Sequence, residues 1–142
     1  MSPLDPKSQE TREWLVIAKL DLGAAKKLAV DSEFSTQSVF HAQQCAEKAF
    51  KAFLIWNQER FRKDHDLGYL GSLAIRQDST LKELVDEAII LNPYAVTTRY
   101  PGFTDDIEAV WHGRRAEIPG VLERERADIR VAIEQSLGED RS

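Results

Sequence analysis

Apolar residues recur along this chain at helical rather than strand spacing. Over residues 11 to about 30, Trp14, Ile17, Ala18, Ala25 and Leu28 share one broad face, with Lys19, Lys26 and Lys27 away from its centre. Thr11 is the expected N-cap, and residues 1–10, with Pro3, Pro6 and two serines, are expected as a flexible N-terminal arm. Polar residues 31–35 break the pattern. A second helix is predicted over residues 36–57, with Val39, Ala42, Ala46, Ala49, Phe50 and Phe53 as its apolar stripe and His41, Gln44, Lys48 and Lys51 on the opposite side. At 1.5 Å per residue it would be a rod of roughly 33 Å.

Residues 58–66 (QERFRKDHD) lack apolar period and read as a loop. A short helix follows over residues 67–75 with Asp66 as its cap. Another is expected over residues 80–91, carrying Leu81, Leu84, Val85, Ala88, Ile89 and Leu91 and ended by Asn92-Pro93. Residues 94–105 form a loop, residues 105–111 a short helical segment, and residues 119–137 a final helix stopped by Gly138. No stretch alternates long enough for a strand. The expected fold is all-α, an up-and-down bundle of four to five helices, with residues 11–138 as a single domain.

Composition narrows the chemistry. The chain has 142 residues and a formal charge of −5, which disfavours nonspecific coating of nucleic acid, so a polyanion must meet a local basic cluster. The one cysteine excludes an internal disulfide framework and a cysteine zinc site. Cys45 is read as a small core residue. His41, His65 and His112 lie far apart without ligand spacing, so neither a metal nor another cofactor is expected. The absence of a membrane span or secretory pattern leads to the expectation of a cytoplasmic protein.

Three features exceed packing. Asp21 sits at the centre of the first apolar face and requires a partner, for which an arginine is expected, Arg99 among the candidates; Gln43 lies at the edge of the second stripe. The loop Arg60-Phe61-Arg62-Lys63-Asp64-His65-Asp66 gathers three cations and an imidazole suited to a phosphate, and His65 between two acids is a candidate proton donor. Arg99-Tyr100 offers a bidentate group and a stacking ring for a nucleotide or an RNA base. A weaker basic patch is His112, Arg114 and Arg115. Ile55 and Ile90 face away from their helices' cores and hint at a partner surface.

The run from Phe40 to Leu54 (FHAQQCAEKAFKAFL), the following His65-Asp66-Leu67 and the later Thr98-Arg99-Tyr100-Pro101 resemble, in order, the motifs of HEPN domains, with Asp64 where threonine is usual. These are small prokaryotic helical domains often encoded beside minimal nucleotidyltransferases. The resemblance implies a homodimer with a nucleotide or RNA role in a toxin–antitoxin-type pair. Arg60, Arg62, Lys63, Asp66, Arg99, Tyr100, Gln43 and Lys48 would then frame its phosphate site. Many HEPN proteins are metal-independent ribonucleases with an Arg-x4–6-His motif. Arg60 and His65 match that spacing, although they lie in the loop after the second helix, whereas the nuclease motif sits on a later helix. The readings carried forward are a binding module partnered with a nucleotidyltransferase, an RNA endonuclease using Arg60 and His65, and a non-catalytic helical adaptor.

Overall fold

The computed structural model describes residues 5–91 and Ala127. The described elements are helices: α1 (Pro6–Leu28), α2 (Ser35–Trp56), α3 (Leu67–Gln77) and α4 (Lys82–Ala88), with 3-10 turns at Ser32–Phe34, Ser79–Leu81 and Ile89–Leu91. The fold is an all-α bundle, as the periodicity predicted. The expected loop carrying Arg99 and Tyr100, the 105–111 segment and, apart from the helical Ala127, the 119–137 helix lie outside the described residues.

α1 starts earlier than expected, because Asp5 is a better cap than Thr11. The Asp5 carboxylate accepts from the Ser8 amide at 2.9 Å, and Pro6 occupies the first turn, where its missing N–H costs nothing. Residues 6–10 are therefore helix rather than loose arm. Thr11 is instead buried in the helix body, and its hydroxyl has no hydrogen-bond partner among the described residues.

The phase of α1 also differs from the sequence reading. Ala18, Asp21, Leu22 and Ala25 face the core, while Val16, Ile17 and Leu20 are exposed. α1 runs antiparallel to α2 along its length, as cross-helix contacts from end to end demonstrate. Lys7 lies over the Trp56 ring, Lys51 over Trp14, and the Ser38 hydroxyl donates to the Ala25 carbonyl at 2.8 Å. Alanines on both sides (Ala18 and Ala25 against Ala42, Ala46 and Ala49) permit a close approach.

α2 is the central rod. Its predicted stripe is buried, Ala42, Ala46, Ala49 and Phe50 completely, and Leu54 is fully buried beside it. Of the side expected to be polar, Lys51 is buried and His41, Gln44 and Lys48 are half-buried; Gln43 and Glu47 are buried as well. α2 ends with Gln58 in the left-handed region (φ 56°), where the Glu59 amide reaches back to the Leu54 carbonyl at 2.9 Å. This αL stop, usually the place of a glycine, turns the chain sharply into the 58–66 loop. Asp66 then caps α3, its carboxylate accepting from the Gly68 amide at 2.8 Å. α3 packs on α4, where Gly71 abuts the Val85 side chain.

A methyl group added at Gly71 would overlap Val85 in the core. Gly71→Ala is accordingly expected to destabilise the chain by about 1–3 kcal/mol through overpacking. Urea denaturation would register a lower midpoint at an unchanged slope.

Candidate functional site

Two carboxylates organise the polar groups around α2, and both are almost withdrawn from water. Asp21 of α1 accepts from Lys48 Nζ at 2.6 Å and from His41 Nδ1 at 2.9 Å. The partner it requires therefore comes from α2 as a lysine and a histidine, not as the expected arginine. Because α1 and α2 lie antiparallel at alanine contact distance, Lys48 reaches Asp21 with most of its stem covered. Glu47 is the second carboxylate. Its Oε2 receives Lys51 Nζ at 3.2 Å and its Oε1 receives His65 Nδ1 at 2.7 Å.

His65 thus finds its acid across the fold rather than beside it in sequence. The flanking acids are otherwise engaged: Asp64 Oδ2 takes Arg62 Nε at 2.8 Å and its Oδ1 takes the Asp66 amide at 3.0 Å, while Asp66 caps α3. Gln43, wholly buried, donates from Nε2 to the His65 carbonyl at 3.1 Å and accepts from Gln44 at 2.8 Å. The histidine is pinned twice, by main chain on Gln43 and by ring on Glu47. Glu47 has a side-chain exposure of 3%, and the His65 side chain is 58% exposed. The ring therefore has one edge in the protein and the other in solvent.

The loop around it is braced rather than merely solvated. The Arg62 amide donates to Tyr69 Oη at 3.1 Å, and its guanidinium lies 3.9 Å from the centre of the same ring. Arg62 holds the Asp64 carboxyl below the usual carboxylate range, with the Asp66 amide adding to the effect, and Asp64 in turn raises the Arg62 guanidinium. Arg62 is therefore spent on structure. Arg60 and Lys63 are exposed and make no hydrogen bond or ion pair among the described residues.

Of the residues predicted for the site, the structure joins His65 to Gln43 through the main chain and seats Arg60, Arg62, Lys63 and Asp66 in one loop. It puts Lys48 with Asp21 in a separate cluster. Arg99 and Tyr100 lie outside the described residues. Glu47 and His41 went unrecognised. The signal for Glu47 was a charge at helical spacing to Lys51, set between the buried Ala46 and Phe50. Among the described residues no group of histidine, cysteine and acids could hold a metal, and no described helix is long and apolar enough to cross a membrane. On the outer face of α1, Gln9, Arg12, Glu13, Val16 and Ile17 line an open apolar hollow of about 430 Å³.

The sequence model of the HEPN domain matches residues 11–134. No curated protein and no solved structure matches the chain.

The Asp21 cluster is a packing element with a measurable cost of removal. Asp21→Asn strips the counter-charge from a largely covered Lys48 and is expected to destabilise the fold by about 2–3 kcal/mol. Adding Lys48→Met should recover part of that loss, as a double-mutant cycle by chemical denaturation would measure.

Proposed function

The chain belongs to the HEPN domain family, and from that premise we propose that it is a nucleotide- or RNA-associated module whose phosphate-facing surface is the 58–66 loop. The observation carrying this reading is the division of labour in that loop. Arg62 is committed to Asp64 and Tyr69, which fixes the backbone, while Arg60 and Lys63 stay uncommitted beside an imidazole fixed on Glu47. A phosphate takes an arginine as a planar fork and a lysine as a point charge, so two cations on a braced loop suit it.

In the finer form of the proposal the protein is cytoplasmic and homodimeric, and it partners a nucleotidyltransferase in a toxin–antitoxin-type pair. The exposed Val16, Ile17 and Leu20 on α1 support a self-association surface. A second reading, a metal-independent RNA endonuclease using Arg60 and His65, is favoured by one observation. The His65 ring is anchored by a buried carboxylate with its other edge in solvent, as a proton-transfer group requires.

Purification of the full chain followed by mass spectrometry of retained nucleotides and proteins tests the binding reading. A single-stranded RNA oligonucleotide should bind at low salt, and Arg60→Ala with Lys63→Ala should weaken it about tenfold or more, since each phosphate contact contributes separately. Equal binding by the variant would remove the loop from the site. Leu20→Asp should convert a dimer into a monomer in light scattering if the α1 face is the contact.

A further inference from the structure

The outward side of α1 is ordered in a way that the bundle itself does not require. Its inner half carries Ala18, Asp21, Leu22 and Ala25 against the core. On the exposed half, Val16, Leu20, Gly23 and Lys27 follow one another every three or four residues in a single row. One flank of that row is cationic: Arg12, Lys19 and Lys26 stand seven residues apart, about 10 Å along the axis. Arg12 and Lys19 are exposed and make no hydrogen bond or ion pair among the described residues. The opposite flank holds Glu13, Ile17 and Ala24. Beyond Glu13 the exposed charges of α1 are all positive, because Asp21 is turned inward, in a chain whose net charge is −5.

Gly23 points the same way. It sits within the helix, exposed, and a Cβ built there would meet nothing within 4 Å. Glycine in a helix interior is destabilising relative to alanine, and no contact among the described residues calls for it. A second helix laid along the row does call for it, since the missing side chain lets two backbones approach. At the N-terminal end of the row, the open hollow of about 430 Å³ between Arg12, Glu13, Val16 and Ile17 is a seat for a large apolar side chain of that helix.

We propose that this face docks one helix of another protein chain, apolar along its contact and acidic along the edge that meets Arg12, Lys19 and Lys26. This goes beyond the loop reading and does not depend on it. In paired helices, the residues flanking the apolar seam choose the partner by charge. A second copy is the poorer match. Laid antiparallel, α1 on α1 sets the two cationic flanks against each other; laid parallel, it offers them acids only near its N-terminus, Glu10 and Glu13. α4, with Glu83 and Asp86, is seven residues long and cannot span the roughly 21 Å from Arg12 to Lys26. The stripe that supports self-association therefore fits an acidic helix better. Nor does the face suit a lipid surface, for the Trp14 ring is engaged by the buried Lys51 and the cations flank the row on one side only.

The probe is a synthetic four-heptad peptide with leucine in the seam and glutamate on both flanks, whose own copies repel at neutral pH. Its twin carries lysine in place of glutamate. Fluorescence anisotropy with the full chain reads binding. The acidic peptide is expected to bind at low salt and to weaken as salt rises, with the lysine twin about tenfold weaker or more. Arg12→Glu with Lys19→Glu is expected to reverse that preference. Both positions are exposed and glutamate is a good helix former, so the fold is retained. Gly23→Ala is expected to raise the urea midpoint of the free chain while weakening the acidic peptide about fivefold, opposite signs that a merely structural glycine would not give.

Equal binding of the two peptides, or binding of neither, overturns the proposal. So does a double variant that keeps the wild-type preference, and so do phosphatidylserine vesicles that bind the chain and displace the acidic peptide. A wild-type dimer that excludes the acidic peptide, and that Leu20→Asp converts to a monomer, assigns the face to a second copy and overturns it as well. A chain that ignores RNA yet binds the acidic peptide with the expected preferences keeps this proposal and loses the loop reading alone.

Discussion

The constraint on which this bundle depends is that Asp21 and Glu47 cannot be buried alone. A carboxylate removed from water without a partner costs several kcal/mol, and each here is met by a lysine and a histidine. Both lysines come from α2, so α2 must stand between α1 and the loop. The alanine contact between α1 and α2 is permissive, since slipping one helix by a turn would exchange one alanine for another at little packing cost. The same slip would separate Asp21 from Lys48 and His41. Apolar burial holds the two helices together, and the ionic contacts choose their register.

The two clusters are built from the same parts and differ in outlook. Around Asp21 the groups sit within the α1–α2 seam, and the seam is where their effect ends. Around Glu47 the lysine is buried more deeply, over Trp14, while the histidine reaches from the loop and keeps an edge in water. One carboxylate joins two helices; the other joins a helix to the surface. The loop also has its own short-range frame in Arg62, Asp64 and Tyr69, so the imidazole is not held by a floppy tether.

Legibility in the sequence followed how local each determinant is. The α2 stripe was readable because Phe50, Phe53 and the alanines leave one phase only, and Asp66 was readable as a cap because capping acts over two or three residues. α1 was misphased because Leu15, Val16, Ile17, Leu20 and Leu22 spread apolar residues around the helix, so periodicity alone could not choose among faces. Asp21 was recognised as needing a partner, yet nothing local names Lys48. His65 was assigned to its sequence neighbours, whose carboxylates are claimed by the backbone and by Arg62. Glu47 stayed hidden because a Glu and a Lys one turn apart look like a surface pair. Only the covering of Lys51 by α1 makes that pair an interior one.

The charge of the loop must be weighed against the charge of the whole. With five more acids than bases, the chain as a whole repels a polyanion. At physiological salt the Debye length is about 8 Å, so remote charges of either sign count for little. Attraction therefore has to come from groups that touch the phosphate. Asp64 neutralises Arg62 within the loop and lowers the local positive field, which would be wasteful if steering from a distance were the purpose. It is consistent with recognition by contact, in which one cation is given up so that the loop keeps its shape for Arg60, Lys63 and His65. A chain of this kind gains little on an arbitrary stretch of nucleic acid. On the proposed reading, it gains where a single phosphate can be set down among donors already in place.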